Sequence, residues 1–413
     1  MLKGVPVSRV IDGIEIGIKE ALHLIKEQSR KINIDQKKQL HDIASIAGRG
    51  QQELAQLVVE GAAMLGMDRM LQDDYRFADA VIAREAAENQ VFNGVVLNRQ
   101  ALNQEMPREI NNPLILVVDD ALAPEDLNHD AMKTEAGFQY FLQARDTYEK
   151  NLRKIAELGV NVVVADRSID DLAEEIFTES GIMALQRVSS REIERLCQHT
   201  GARKIKRVTL NRSPEILSSY LGKADRAVSD EKLEHTCVYG GKGETWTTII
   251  VGAATSEVVD ERERIARDAA SAVQAAVREG IVPGGGALEI WLAAEMEKLA
   301  RSLGGMSSYG VLCVKEAFLK PFNCMASNAG FNPLEKLGDV IAAQNREGRV
   351  SISFDCESGA VVDMIENGIV DPALVKINAV KTAGEVATAI LRINTIIKMK
   401  NEESKPGSLD IME

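Results

Sequence analysis

REGIVPGGGALEI, residues 278 to 290, places a proline and three glycines between two stretches that have the pattern of helices. Glycine loses more conformational freedom on folding than other residues, so such a run indicates a sharp turn or a group that approaches the backbone closely. The run matches neither of the common glycine-rich phosphate motifs. Backbone amides at the start of the following helix nevertheless attract anions. The stretch therefore predicts either a sugar or phosphate contact, or a plain turn between helices.

The chain divides into three parts with different patterns of apolar residues. Up to about residue 90 the apolar residues recur three and four apart, which predicts helices. From about residue 245 long helical patterns return, and RINTIIKMK (392 to 400) closes them as a predicted strand. Between these parts, short runs rich in branched residues alternate with helical stretches, which is typical of an α/β unit. The strands are predicted at 113 to 120, 161 to 166, 181 to 188 and 204 to 210.

Composition excludes several classes of protein. At 413 residues the chain exceeds most single cores and predicts two or three domains. The net charge of −13 would repel phosphate backbones, so nucleic acid is excluded as a general partner. No uncharged run reaches the roughly 18 residues of a membrane helix, so no membrane association is expected. The five scattered cysteines indicate reduced thiols in a cytoplasmic protein.

One segment of the α/β insert, FQYFLQARDTY (138 to 148), is rich in aromatic residues. Its apolar side, continued by Leu152 and Ile155, predicts a helix packed on the α/β core. The alternative is an exposed arm for contacts with a partner, since large exposed apolar patches usually mark interaction sites. The helix at 190–200 has clear boundaries in the sequence, because Ser189 and Glu192 predict a capping box and Gly201 predicts a C-terminal cap.

Two carboxylates could take part in chemistry. Asp268 lies at the edge of an apolar helical stripe, where it could polarise a water molecule for attack on a phosphoryl group. Alternatively, it forms only an ion pair with Arg264 one turn earlier. Asp371 precedes Pro372 and could simply cap a helix, or it could accept hydrogen bonds from ribose hydroxyls. The five dispersed histidines provide no Ser/His/Asp set and no metal cluster.

Five long motifs occur in one order along the chain. The middle carries NGVVLNRQALNQEMPREINNPLILVVDDAL and GIMALQRVSSREIERLCQHTGA, and the C-terminal part carries GIVPGGGALEI, SNAGFNPLEKL and NGIVDPALVKINAVKTAGEVATAILRINTII. Together they resemble a chaperonin subunit of the group II type, which includes the archaeal thermosome, its eukaryotic cytosolic relatives and a bacterial branch. The resemblance runs from about residue 5 to residue 398.

This resemblance implies a multi-domain fold of α and α/β parts: a helical equatorial domain that is incomplete here, a small intermediate hinge domain, and an α/β apical domain with a helical protrusion that closes a cavity. The implied boundaries are 1–34 for the first equatorial part, 35–92 for the first intermediate part, 93–244 for the apical domain with its protrusion at about 121–158, 245–282 for the second intermediate part, and 283–413 for the C-terminal equatorial half.

The resemblance also implies functions for single residues. Asp268 would be the catalytic residue that orients the attacking water. The nucleotide would be contacted by Gly284 and Gly285 at ribose and phosphate, Asp371 at the ribose, Asp355 and Cys356 along the adenine, and Gly48 and Arg49 in the nucleotide-sensing loop. Group II members usually carry lysine where this chain has Arg49, and a planar guanidinium does not replace a point charge without consequence. Unfolded polypeptide would meet the helix at 190–200 through Arg191, Glu194, Arg195 and Gln198.

One family motif does not occur in the sequence. It is the GDGTT-type phosphate loop, whose aspartate acts with Mg²⁺ and whose threonines hold phosphates; LKGVPVSRVIDGIEIGIKEAL aligns just after it. ATP and Mg²⁺ are the implied cofactors, but phosphoryl transfer depends on positioning by this loop. We therefore expect weak ATP hydrolysis from Asp268 alone.

Two functions follow from the resemblance. The first is an ATP-driven folding chamber, in which this subunit or paralogous subunits form stacked rings that enclose unfolded polypeptides in the cytoplasm. The second is a nucleotide-independent protein that binds unfolded chains through its apical surface without assembling. Both hypotheses give the apical helix at 190–200 the same client, and only the first needs the nucleotide residues.

Overall fold

A computed structural model describes residues 4–124 and 135–393 of the chain. The contacts divide it into two compact units: unit 1 comprises Met1–Arg30 and Val282–Glu413, and unit 2 comprises Lys31–Ile281. The sequence thus leaves unit 1 after its first helix and returns to it at the glycine run. The finer domain boundaries implied by the resemblance remain predictions.

Helices dominate both units. In the described ranges the α-helices are α1 Val7–Gln28, α2 Lys37–Ala47, α3 Gln52–Leu65, α4 Met67–Met70, α5 Glu135–Glu157, α6 Asp171–Glu179, α7 Ser190–Thr200, α8 Pro214–Ser218, α9 Ser256–Glu279, α10 Ala287–Leu303, α11 Ser308–Asn328, α12 Pro333–Glu347 and α13 Ala373–Leu391. Two short 3₁₀ helices are η1 Phe77–Ala80 and η2 Arg207–Asn211.

Strands are short and belong to four sheets. They are β1 Val81–Glu85, β2 Gln90–Leu97, β3 Glu109–Asn111, β4 Leu114–Val118, β5 Val162–Ala165, β6 Met183–Leu185, β7 Gly222–Lys223, β8 Arg226–Asp230, β9 His235–Tyr239, β10 Thr247–Ala253, β11 Ile281–Pro283, β12 Ile352–Phe354, β13 Val361–Asp363 and β14 Val370–Pro372.

Unit 1 is a helical core with two small sheets. Helices α1, α10, α11 and α13 pack together because each presents an apolar stripe at helical spacing; in α1 the stripe includes Ile14, Ala21 and Ile25. Strand β11 pairs with β14, and β12 pairs with β13 in antiparallel register. Since β11 leads to α10 and β14 leads to α13, the first of these sheets brings the starts of two helices together.

Unit 2 contains a six-stranded sheet in the order β1-β10-β2-β9-β8-β3. Helices α2, α3 and α9 pack with one another, and α9 lies against β1 and β10 while α3 lies against β10 and β2. The buried amide of Gln274 in α9 accepts from Phe77 N and donates to Met70 O and Tyr75 O. These three bonds fix the loop before β1 against α9, the helix that carries Asp268.

The α/β insert of unit 2 is a four-stranded sheet in the order β6-β5-β4-β7. Strands β4, β5 and β6 are parallel, and β7 closes one edge in antiparallel register. The residues of β5 and β6 are all buried, which is why these strands are continuous apolar runs. The strands predicted at 113 to 120, 161 to 166 and 181 to 188 are thereby confirmed.

The strand predicted at 204 to 210 is wrong. Only Ile205 pairs with β4, through an isolated bridge to Val118, and the chain then forms the 3₁₀ helix η2. Leu210 is buried in the core of the α/β insert while Val208 is 62% exposed. The first part of the run has one apolar residue, Ile205, between two lysines, and only this residue pairs with the sheet. The tighter 3₁₀ helix that follows buries Leu210.

The aromatic segment is buried at one end and exposed at the other, along one helix. In α5, Tyr148, Leu152 and Ile155 are buried in the α/β core, and Tyr148 Oη donates to Asp170 Oδ1 at 2.6 Å. Burial, and after it the hydrogen bond to Asp170, raises the pKa of the Tyr148 phenol. One end of the segment carries Tyr140, which is 51% exposed. The helix is therefore core at its C-terminal half and solvent-facing before it.

Two predictions lie outside the described residues. They are part of the protrusion, at 125–134, and the strand at 392 to 400 from residue 394 onward. No helix within 4–124 and 135–393 combines the length and apolarity that crossing a bilayer requires. The five cysteines are free thiols.

Candidate functional site

The glycine run forms a tight turn between β11 and α10 in unit 1. Gly285 has φ +59° and Gly286 has φ +77°, a left-handed conformation that favours glycine at both positions. Ser353 Oγ donates to Gly285 O at 2.7 Å and ties the turn to β12. A Cβ on Gly285 would lie 2.7 Å from Met364 Sδ, so the turn is also closely packed.

Gly284 and Asp371 lie side by side in this turn region. Gly284 N donates to Ile369 O at 3.0 Å, which joins the turn to the residue before β14. A Cβ on Gly284 would lie 3.3 Å from Asp371 Oδ2 and 3.1 Å from Ile369 O. Glycine here keeps the Asp371 carboxylate uncrowded, so the structure brings together two residues that are far apart in sequence.

Asp371 does not cap the helix that follows it. It is the middle residue of β14, the helix α13 begins at Ala373, and no side chain caps its first turn. Instead, Asp371 Oδ2 forms an ion pair with Lys376 Nζ at 2.9 Å, and the Asp371 side chain is 31% exposed. The N-cap alternative is therefore wrong, because the short sheet holds Asp371 in an extended conformation one residue too early.

Asp355 and Cys356 lie in the loop between β12 and β13. The Asp355 carboxylate accepts from Ser358 Oγ at 2.5 Å, Ser358 N at 3.1 Å and Glu357 N at 3.2 Å. The Ser358 hydroxyl and these amides hold the pKa of Asp355 below its usual range. Cys356 is exposed, and partial burial with the charge of Asp355 raises the pKa of its thiol. The carboxylate thus shapes the loop, and the loop starts shortly after the Ser353 contact to the glycine turn.

Asp268 and Arg49 belong to unit 2, where they end a chain of ion pairs. Arg49 Nη1 donates to Glu261 Oε1 at 2.9 Å, Arg264 Nη2 donates to the same oxygen at 2.8 Å, and Arg264 Nη1 donates to Asp268 Oδ2 at 3.2 Å. The Asp268 side chain is 54% exposed. The predicted ion pair with Arg264 is therefore present, and enough of the carboxylate remains open to meet a water molecule.

Gly48 lies against the same helix. It follows the end of α2, and a Cβ placed on it would meet Ala44 O at 2.6 Å and Ala269 Cβ at 3.8 Å. Arg49 has a left-handed φ of 55°, which is strained for a residue with a side chain. The structure thus places Gly48 beside Ala269, the neighbour of Asp268.

The predicted client-binding helix is α7. Its boundaries follow the sequence signals, because Ser189 and Glu192 form the capping box and Gly201 is left-handed at the C-terminal end. Ile193 and Leu196 face the core. The remaining face is polar: Arg191, Glu194 and Gln198 are the more open of its predicted residues, whereas Arg195 is 24% exposed.

Arg195 differs from its neighbours on α7 because it is engaged within unit 2. Its guanidinium lies 3.6 Å from Asp79 Oδ2 and 5.6 Å from the centre of the Trp246 ring. Contact with an incoming polypeptide would cost these interactions. Arg191, Glu194 and Gln198 are therefore the better placed of the four predicted residues.

Sequence reasoning missed three charged residues of these regions. They are Lys376, Glu289 and Glu261. Lys376 pairs with both Asp371 and Glu289, and Glu261 pairs with both Arg49 and Arg264. No local signal pointed to Lys376, since a cation in the first turn of a helix opposes the helix dipole. Among the described residues no group of three or more His, Cys, Asp or Glu side chains is placed to bind a metal ion, so we assign no magnesium ligand.

Comparison with known proteins gives a consistent result. The model of the TCP-1/cpn60 chaperonin family matches residues 1–401. The thermosome subunit of Desulfurococcus sp. (strain SY) is 32% identical, over 98% of this chain and 77% of the relative. The thermosome subunit beta of Archaeoglobus fulgidus is also 32% identical, over 96% of this chain and 75% of the relative.

Two solved structures share the fold. A group III chaperonin in the open state superposes with a TM-score of 0.89 and 43% sequence identity, covering 96% of this chain and 80% of that one. The open-state monomer of a group II chaperonin from Methanococcoides burtonii gives a TM-score of 0.70 at 23% identity, covering 95% of this chain and 94% of that one, and supports the fold alone. The predicted multi-domain α and α/β architecture is confirmed.

Proposed function

This chain belongs to the TCP-1/cpn60 chaperonin family, and we propose that it is an ATP-dependent molecular chaperone that encloses unfolded polypeptides in a ring cavity and assists their folding. Its relatives include thermosome subunits. By the same reasoning, the partners are unfolded or partly folded polypeptides together with further copies of this chain or paralogous subunits in stacked rings, and the compartment is the cytoplasm.

One observation carries the nucleotide part of the proposal: the Asp371 carboxylate lies beside the side-chain-free Gly284. A carboxylate accepts hydrogen bonds from sugar hydroxyls, and glycine backbone permits a sugar or phosphate to approach. We assign Asp371 to the ribose, Gly284 and Gly285 to ribose and phosphate, and the loop with Asp355 and Cys356 to the adenine. The chemistry of these residues, a carboxylate beside glycine backbone, supports a nucleotide here.

Hydrolysis is assigned to residues of unit 2. Asp268 would orient and polarise the water that attacks the terminal phosphoryl group, and Gly48 and Arg49 would respond to the nucleotide state. ATP binds as its magnesium complex in this chemistry, and the metal neutralises developing phosphate charge. Arg49 already pairs with Glu261, so its side chain would have to leave that carboxylate to contact a phosphate.

Client binding is assigned to α7. Arg191, Glu194, Arg195 and Gln198 present a polar surface on a helix whose position is fixed by its cap and by its buried side. Such a surface would favour polar and charged segments of an unfolded chain. Exposed Tyr140 on α5 would add an apolar contact from the protrusion.

Two measurements on the purified protein test the proposal. Calorimetry with ADP should show binding, and an aggregating unfolded client should refold in higher yield with ATP than without it. Binding of ADP with no effect of ATP on the client would overturn the folding activity. Absence of ADP binding would overturn the nucleotide assignment as well.

A second candidate is a nucleotide-independent binder of unfolded chains. The observation in its favour is that Arg191, Glu194 and Gln198 are exposed on α7, whose ends are fixed by its own caps. This function predicts that the protein suppresses client aggregation equally with and without ATP. It also predicts that Asp371→Asn leaves suppression unchanged.

A further inference from the structure

The carboxylate that we assign to the ribose is held by a charged pair behind it. Lys376 Nζ donates to Glu289 Oε1 at 2.6 Å and forms an ion pair with Asp371 Oδ2 at 2.9 Å. Among the described residues, Asp371 Oδ1 accepts no hydrogen bond. One oxygen of Asp371 is therefore engaged by the lysine and the other is available to a ligand.

The three groups are largely removed from water. The side chain of Glu289 is 11% exposed and that of Lys376 is 23% exposed. Glu289 Oε2 is buried and has no hydrogen-bond partner in the described part of the chain. A buried charge is tolerated only when it is paired, so Lys376 is the group that offsets the burial of Glu289.

The helix positions of the two anchoring residues support this dependence. Glu289 is in the first turn of α10, where the helix dipole stabilises a negative charge. Lys376 is in the first turn of α13, where the dipole opposes a positive charge. A lysine at this position does not stabilise α13 itself. Its ion pairs with Asp371 and Glu289 account for the lysine here.

Lys376 remains a cation in this setting. Burial by itself lowers the pKa of a lysine, but the charges of Glu289 and Asp371 outweigh it, and the pKa of Lys376 is raised above its ordinary value. Two carboxylates and one ammonium leave one net negative charge, and Asp371 is the most exposed of the three side chains. That charge is suited to accept hydroxyl donors and unsuited to an anionic group.

We propose that Lys376, itself held by Glu289, is a positioning and specificity-determining residue that locks Asp371 so that its carboxylate accepts the vicinal hydroxyls of a ribonucleotide. This inference rests on the proposed function, because it requires that a nucleotide sugar binds beside Gly284. It extends that function by naming the discriminated feature, which is an intact ribose, and the residues that impose the discrimination.

The test compares ADP with 2′,3′-dideoxy-ADP by calorimetry. The unaltered protein should bind ADP about tenfold more tightly or better, because the analogue lacks the hydroxyls that would donate to Asp371. In Lys376→Met we expect this ratio to fall to about one, through loss of ADP affinity, while the affinity for the dideoxy analogue changes less than about twofold. Lys376→Arg should keep part of the ratio.

Controls separate this role from plain stability. Lys381→Met removes an exposed lysine of the same helix, 60% exposed and 4.0 Å from Glu385, and should leave the ratio unchanged. Because Lys376→Met leaves Glu289 buried and unpaired, Glu289→Gln/Lys376→Met serves as a second variant, with its melting temperature recorded. A general loss of stability would weaken the binding of ADP and of the dideoxy analogue equally.

The outcomes distinguish the two levels of the argument. If the unaltered protein binds ADP with discrimination and a folded Lys376→Met or double variant keeps it, the inference is overturned and the proposed function stands. If the unaltered protein binds both nucleotides equally, the inference falls because Asp371 does not read the ribose. If it binds neither, the proposed function itself fails.

Discussion

Asp371 and Asp268 carry the same side chain in opposite surroundings. Asp371 lies in a short strand, 31% exposed, with one oxygen held by a lysine that is itself buried against a second carboxylate. Asp268 lies on a helix surface, 54% exposed, and its partner Arg264 comes from one turn earlier. The sequence offered each of them an ordinary helical role, and the structure keeps that role only for Asp268. A partner from a distant element is what distinguishes a positioned carboxylate from a surface ion pair.

The largest effect is expected for Asp268 in turnover. Asp268→Asn removes the group that would polarise the attacking water, so any magnesium-dependent ATP hydrolysis should fall about a hundredfold. Phosphate release measures the rate, and ADP affinity should change less than about twofold. Asp260→Asn, an exposed residue earlier on α9, is the matched control. If Asp268→Asn hydrolyses ATP as fast as the unaltered protein, Asp268 has no catalytic role and forms only the surface ion pair with Arg264.

The reverse pattern is expected for Asp371. Asp371→Asn should weaken ADP binding about tenfold, because a neutral amide replaces a charged hydrogen-bond acceptor at the same position in the strand. Calorimetry provides the affinity, and Asp339→Asn, an exposed residue of α12 in the same unit, is the control. Equal ADP affinity in Asp371→Asn and the unaltered protein would erase the contrast with Asp268.

A third titratable group sharpens the contrast between held and exposed side chains. His199 is buried at the end of α7; its Nε2 accepts from Gly241 N at 2.9 Å, so its proton lies on Nδ1 and faces Glu244 O at 3.2 Å. Burial lowers the pKa of His199 below its usual value. Protonation would also remove the acceptor that Gly241 needs.

The sign of the pH effect follows from this shift. Because the folded pKa is lowered, the unfolded chain takes up a proton that the folded chain refuses, and stability is lost as the pH falls below about 6.5. Denaturant melts between about pH 5 and pH 7.5 should show a loss on the order of 1 kcal/mol that His199→Gln lacks. His235, whose pKa burial also lowers, is present in both proteins, so only the difference between them reports on His199. Parallel pH profiles would contradict the assignment.

The smallest effect is expected for Arg264. Arg264→Met removes its contacts to Asp268 and Glu261, but these charges are about half exposed, so the free energy of unfolding should stay within the error of a denaturant melt. Arg153→Met, which breaks a comparable pair on α5, should behave alike. A clear loss of stability in Arg264→Met alone would show that the chain from Arg49 to Asp268 acts as one network.

Local features were predictable where the signal and the structure share neighbouring residues. The capping box of Ser189 and Glu192 depends on four consecutive residues, and the three buried strands depend on continuous apolar runs. The run at 204 to 210 failed because one alternating segment fits a strand or a 3₁₀ turn, and burial of Leu210 selected the turn. The aromatic segment was ambiguous because one helix is both core and surface.

The amino-acid sequence by itself indicated the helices, three of the four strands predicted for the α/β insert and a sharp turn at the glycine run, because each depends on residues within a short window. The family was indicated by the resemblance of five long motifs. Only the tertiary structure decided that Asp371 meets Gly284 and Lys376, and that Lys376 meets Glu289 across 87 positions. Such pairings depend on which helix starts a small sheet brings together.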